Sequence, residues 1–373
     1  MILNKKNIYT SAASKFISIL LLIPVVLSCS KTPIREDSTT VTPPPVNKSY
    51  ENGIFVVNEG NFNSGNASIT FINTKDTTVE QDVFKTHNDR LLGDVAESML
   101  TFNNMGFIIV NNSNTIEVVS LKDFKSIRTM TGFSSPRFMA IFDSSKAYVT
   151  NMNLSVSVID LTTLNIKKSI PTNSWTESMI RFNNYMFVTT IGNMGLPTAQ
   201  RNARILVIDT KSDQIVDSIK TGKEPICMVM DKKDKIWVLC TGGFDQVEAP
   251  TLIRIDPSLR LVDRTFTFSG GVPSRLCINN QKDTLYFLNN GVYQMPVSAT
   301  VIPTAPLIPS NQHLFYGLGI NPTNGNIFVS DAKDYIQNGT VYQYDQSTAS
   351  LLGTFPAGRI PGSFCFTTAS KKK

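Results

Sequence analysis

The chain has 373 residues, 41% hydrophobic and 17% charged, with 35 Lys and Arg against 29 Asp and Glu. That apolar share argues against a disordered chain and suffices for one large core. The formal charge of +6 falls to about +3 once Lys5, Lys6 and Lys15 are assigned to a leader, and Lys371, Lys372 and Lys373 sit in a tail. The body is then near neutral, which argues against a nucleic-acid reader, whose basic patch must lie on the fold itself.

At the N-terminus, Lys5 and Lys6 precede an apolar run at residues 17–27, too short to span a bilayer stably. It ends in Val26-Leu27-Ser28-Cys29, which resembles the lipobox of bacterial lipoproteins. The resemblance implies cleavage before Cys29 and acylation of its thiol; the alternative is a secretory signal with a chance cysteine. The organisation expected is a signal peptide over 1–28, the lipidated Cys29 and a tether over 29–52, a folded body over 53–368 and a basic tail over 369–373. The tether, KTPIREDSTTVTPPPVNKS, is rich in Thr, Pro and charge and reads as an extended spacer. Glu36 and Asp37 lie where some Gram-negative lipoproteins carry a surface-export signal.

The body is a repeat. Residues 53–84 hold three apolar runs, GIFVVNEG, ASITFIN and VEQDVF, read as strands. Six longer units follow, marked by Phe102, Phe142, Phe182, Met230, Ile278 and Ile320, at spacings of 40, 40, 48, 48 and 42. Each opens on an apolar run and a polar turn, then repeats the alternation, which gives four short strands in about 40 residues, the make-up of a propeller blade. The first unit lacks its first strand, and GSFCFTT at residues 362–368 supplies one. The fold expected is all-β: a seven-bladed β-propeller closed by the C-terminal strand in blade one, with six or eight blades as the alternatives. Closure removes the open edge that an incomplete ring would carry.

The excess length falls in loops on one rim: the links between blades and the loops between second and third strands. The opposite turns are mostly short. Loops on a rigid scaffold commonly carry function, so candidate ligand-binding residues are taken from this rim. Asn58, Asn111, Asn151 and Asn289 end second strands and read as a ring of amides or as turn chemistry. Glu97, Arg137, Glu177 and Arg275 occupy similar places near first-strand starts and point toward the axis, with pairing across the channel as their structural role. Phe62, Trp175, Phe244, Phe315, Tyr316 and Tyr335 supply aromatic surface in the same loops, and Glu59 and Arg359 add charge. Cys227, Cys240, Cys277 and Cys365 fall inside strands and read as buried thiols, with a Cys227–Cys240 disulfide as the alternative. There is no CxxC or DxDxDG spacing, and the two histidines are His87 and His313. Asp94, Glu97, Glu177 and Asp331 are the carboxylates that could gather near the axis. No resident cofactor or metal is expected.

The words VVNEGNF (residues 56–62), GDVAESM (93–99) and VSVIDLTT (156–163) resemble the YncE-like, surface-layer-type propeller family. Its members include the cobalamin-capturing surface lipoproteins that cap a TonB-dependent vitamin B12 transporter. The resemblance implies an outer-membrane protein, held by its lipid anchor alone, that keeps a corrinoid over the propeller mouth and passes it to a transporter. The long loops give no matched positions, so no corrinoid contact is carried over residue by residue. The alternatives are a propeller enzyme, of the lactonase or quinone-dependent dehydrogenase type, and a protein–protein scaffold.

Overall fold

The computed structural model describes residues 49–192, 203–243 and 248–367. Seven four-stranded antiparallel sheets form, each a simple up-and-down blade. The inner strands of blades two to seven are Ala96–Phe102, Pro136–Ile141, Trp175–Phe182, Pro225–Met230, Ser274–Ile278 and Phe315–Ile320. The inner strand of blade one is Pro361–Thr367, which pairs with Gly53–Asn58 in the register Gly53↔Thr367, Phe55↔Cys365 and Val57↔Ser363. Successive inner strands touch in order, and the last touches the first, so the ring is closed.

The second strand of each blade is almost wholly buried, as in GIFVVN, MGFIIV and IWVLC, because both of its faces meet a neighbouring blade. Phe107, Ile109 and Val118 of blade two pack on Met139, Ala147 and Val149 of blade three, and the same arrangement recurs around the ring. Outer strands alternate instead: in Asn165–Pro171 only Ile170 is buried. Blade links and second-to-third-strand loops share what we call the upper face. The described chain starts and ends on the lower one. There Tyr50 donates its backbone N–H to Leu121 O, in a lower turn of blade two, and Thr367 sits opposite Gly53.

Two segments depart from the sequence reading. The run VEQDVF was expected as a strand to Phe84, but the outer strand of blade one is only Val79–Glu80, and Val83–Asn88 is a helix. Val83 and Phe84 are buried either way, so their apolar character does not separate the two structures. His87 fixes the helix to the ring: its Nε2 lies 2.9 Å from Glu80 Oε1 and 2.5 Å from Tyr50 Oη. In blade six the outer strand is only Ile308–Pro309, reached after an eleven-residue excursion on the lower face, residues 297–307. Pro303, Pro306 and Pro309 lack the N–H that a strand ladder needs, so the chain pairs only at Val292↔Ile308 and Gly291↔Pro309.

Candidate functional site

Every inner strand slips its register against the second strand of its blade soon after it starts. The first residue at each slip is Gly362, Glu97, Arg137, Glu177, Ile226, Arg275 and Tyr316, from blade one to blade seven. A bulge bends its strand and re-aims one side chain, so the seven bulges present six side chains and the bare backbone of Gly362 at equivalent places near the axis. Three of them are held by the same device. The bulge frees a backbone N–H, and a hydroxyl on the second strand accepts it: Phe138 N to Thr150 Oγ1 at 3.0 Å, Ser178 N to Thr189 Oγ1 at 2.9 Å and Gly317 N to Ser330 Oγ at 2.8 Å. The backbone just ahead is also repeated. Val95, Ser135, Glu224 and Ile360 lie in the left-handed region, at φ 55°, 49°, 51° and 53°. For β-branched Val95 and Ile360 this is an unfavourable conformation.

Two charge clusters result. Arg137 lies between Glu97 and Glu177: it donates from Nη1 to Glu97 Oε2, and from Nε and Nη2 to the two oxygens of Glu177 at 2.7 and 2.8 Å. On the other side Arg275 donates from Nε to Tyr316 O at 3.0 Å, and its Nη2 lies 3.4 Å from Glu59 Oε1. Tyr316 donates its hydroxyl to Glu59 Oε2 at 2.9 Å, and the Arg275 guanidinium lies 5.0 Å from the Tyr316 ring centroid. Glu59 comes from the loop after the second strand of blade one, and it reaches the axis because blade one offers no side chain there. A Cβ on Gly362 would stand 2.1 Å from Glu59 Oε1. Ile226 is the one apolar member of the ring.

Burial governs the electrostatics. It raises the Glu97 carboxyl to about 7, against the pull of Arg137 and with the push of Glu59 and Glu177. Glu59 is raised by the same desolvation, opposed by Arg275 and by the Tyr316 hydroxyl. Burial alone would lower Arg137, but Glu177 and Glu97 overcome it and hold the guanidinium above its ordinary range. Paired groups of this kind leave a strongly polar surface at the axis without a bare buried charge.

Of the residues chosen from sequence, Glu59, Glu97, Arg137, Glu177, Arg275 and Tyr316 come together. The amides mostly do not join them. Asn58 is buried, donates to Thr70 Oγ1 at 3.0 Å and accepts from Gly358 N at 3.0 Å. Asn111 donates to Pro136 O at 2.9 Å and so ties blade two to blade three. Asn151 donates to Val149 O and Ser157 Oγ, while its buried Oδ1 has no protein partner. Asn289 donates to Gly270 O at 3.3 Å. Trp175 is half-buried at the start of its strand, Arg359 is exposed, and Phe62 and Tyr335 stand out on the upper face. Phe244 and Cys29 lie outside the described residues. All four described cysteines are free thiols, Cys227 and Cys240 among them. Asp94 accepts from Asn112 at 2.6 Å and Asp331 pairs with His313, so these two carboxylates have partners other than the axial arginines. Among the described residues no group of three His, Cys, Asp or Glu is arranged to hold a metal ion. Ile226, Gly362 and the hydroxyl struts were missed from sequence. The signal was a Thr or Ser near the end of a second strand, as in YVTN, VTT and VSD.

A profile described as "Domain of unknown function (DUF5074)" matches residues 52–357. The chain belongs to the DUF5074 family. No curated protein matches it. Among solved structures it is similar to a quinonprotein alcohol dehydrogenase-like protein from Bacteroides thetaiotaomicron, at 14% identity and TM-score 0.67, over 86% of this chain and 80% of that one. It is also similar to the hydrazine synthase of Kuenenia stuttgartiensis, at 14% identity and TM-score 0.57, over 76% and 94%. A third is the computationally designed Ika8 protein, at 10% identity and TM-score 0.53, over 85% and 91%. At such identities the likeness is one of fold. It places this DUF5074 chain among propellers.

Proposed function

We propose that this protein is a lipid-anchored binding module of the outer membrane that holds a small polar ligand over its axial cluster, with a corrinoid as that ligand, and passes it to a TonB-dependent transporter. The observation that carries the reading is the set of seven bulges, which gather charged and aromatic groups at one face of a rigid ring. Guanidinium, carboxylate and phenol side by side offer donors and acceptors of both kinds. That suits a ligand edged with amides, as a corrinoid is, better than one with a single strong charge. Arg137 fills the space between Glu97 and Glu177 that a bridging cation would take, which favours recognition over metal-assisted chemistry. The corrinoid itself comes from the likeness of VVNEGNF and GDVAESM to cobalamin-capturing propellers, and the anchor from the lipobox ending at Cys29.

Isothermal titration of the detergent-solubilised full chain with cyanocobalamin tests this. One saturable site, with a transporter co-purifying from membranes, is the expected result. No heat with cyanocobalamin or any other scarce cofactor, and no transporter, would overturn it.

A further inference from the structure

The two histidines are used in different ways. In His87 the Nε2 faces Glu80 and Tyr50 inside the ring. His313 stands on the upper face, in the link between blades six and seven. Its Nδ1 lies 2.9 Å from Asp331 Oδ2. An ionised carboxylate only accepts, so Nδ1 carries the proton and Nε2 carries the lone pair. Asp331 is itself fixed: only 6% of its side chain is exposed, and its Oδ1 accepts the backbone N–H of Leu314 at 3.0 Å and of Lys333 at 2.8 Å. The imidazole lies nearly parallel to the Phe315 ring, at 10° and 6.0 Å, and 4.9 Å from the Tyr342 ring. It is still 40% exposed, and among the described residues no hydrogen bond uses its Nε2. A buried carboxylate that fixes the tautomer and plane of an otherwise free imidazole is the outer support that metal-binding histidines commonly have.

Exposed apolar side chains lie in the same loops, interspersed with the exposed Lys333, Asp334 and Gln337. Leu314 is the next residue in the chain, and Tyr335 and Ile336 stand in the loop after Asp331. Asn61 donates to Tyr335 O at 2.6 Å and so joins that loop to the one bearing Phe62, which is 69% exposed. The Tyr335 ring meets Tyr316 edge-on at 5.7 Å, which links this rim to the axial cluster. One histidine cannot hold a bare ion, but it can fill the open position of a metal that brings its own equatorial ligands, and a flat macrocycle would cover the apolar rim. We propose that His313 is an axial nitrogen ligand for the metal of a planar metal chelate seated on the rim of blades seven and one. The proposal rests on the ligand-binding reading above and specifies the class of ligand. The step is an exchange: the Nε2 lone pair replaces a water on the metal, the water leaves, and no electron is transferred.

The test uses the full chain in detergent and three probes: aquocobalamin, whose axial water exchanges; cyanocobalamin, whose position is blocked; and iron(III) protoporphyrin. The expected result is a visible-band shift to the imidazole-bound form with an open-site probe, absent in His313→Ala. Asp331→Asn should weaken coordination about 10–100-fold, because the new amide donates to Nδ1 and moves the proton to Nε2. A shift with iron porphyrin alone would keep the histidine proposal and remove the corrinoid. Equal binding of both cobalamins without a shift would overturn the histidine proposal and leave the binding module standing. A shift that survives in His313→Ala would overturn it too, and no shift or binding with any probe would overturn both.

Discussion

Three carboxylates and two guanidiniums share the axis, so one carboxylate has no cation of its own. Burial places much of that imbalance on Glu97, whose carboxyl rises from its ordinary 4.5 to about 7. The sign of the consequence follows from proton counting. Below about pH 4.5 the group is protonated whether the chain is folded or not. Between about 4.5 and 7 the folded chain holds a proton that the unfolded chain has released, so stability falls as pH rises through this window. Above 7 both states are ionised and the loss is complete, at roughly 3 kcal/mol. Glu97→Gln keeps an acceptor for Arg137 and removes the charge. In urea melts at pH 5 and pH 8 the variant should lose less stability on going to pH 8 than the parent does, and should exceed the parent at pH 8. Equal losses in the two proteins would place the extra proton elsewhere.

The bulges belong to the strands, and blade one shows what they require. Gly362 has open backbone angles but no room, because Glu59 occupies the place where its side chain would be. Gly362→Ala must push Glu59 off Arg275 and Tyr316, at about 1–3 kcal/mol, and should weaken cyanocobalamin binding along with stability. Gly270→Ala is the control: a Cβ there meets nothing within 4 Å, so its melt should stay within about 0.5 kcal/mol of the parent. The blades themselves were legible because a run such as YVTN followed by SVSVID reads as two strands and a turn whatever its neighbours do. The common position of Glu97, Arg137, Glu177 and Arg275 was legible for the same reason, since each sits at a fixed place in its repeat. Which of them pair was not legible. Arg137 and Glu177 are 40 residues apart and meet through the stacking of neighbouring blades, while Glu59 and Tyr316 are 257 apart and meet only because the ring closes. Nor did the sequence show that Asn58, Asn111 and Asn151 turn inward. An Asn at a strand end looks the same whether its amide faces water or holds two blades together. The short outer strands of blades one and six escaped because Val83 and Phe84 suit a helix as well as a strand, and because prolines interrupt the other.

The closed ring has unlike faces, and the proposed lipid anchor sets a question of direction. The axial cluster is on the upper face, while Tyr50, near which the expected tether joins the fold, packs on the lower one beside Leu121. With Cys29 lipidated, the nineteen residues 30–48 are all that connects ring and bilayer. On the anchoring proposed above, the shortest path would set the lower face toward the membrane and the upper face away from it, whereas the proposed delivery into a transporter would require the reverse. Nineteen residues reach about 65 Å at full extension, and a body of this size is roughly 50 Å across. By that length alone, the proposed tether would allow the upper face to turn down. Deleting residues 35–46 leaves seven, which reach about 25 Å and hold the ring lower face down. The shortened protein should bind cyanocobalamin with unchanged affinity in titration, since the axial cluster is untouched, and should no longer co-purify with the proposed transporter from membranes. Co-purification at the parent level would mean that the partner meets the lower face, and the upper face would then have to be loaded and emptied from the outside.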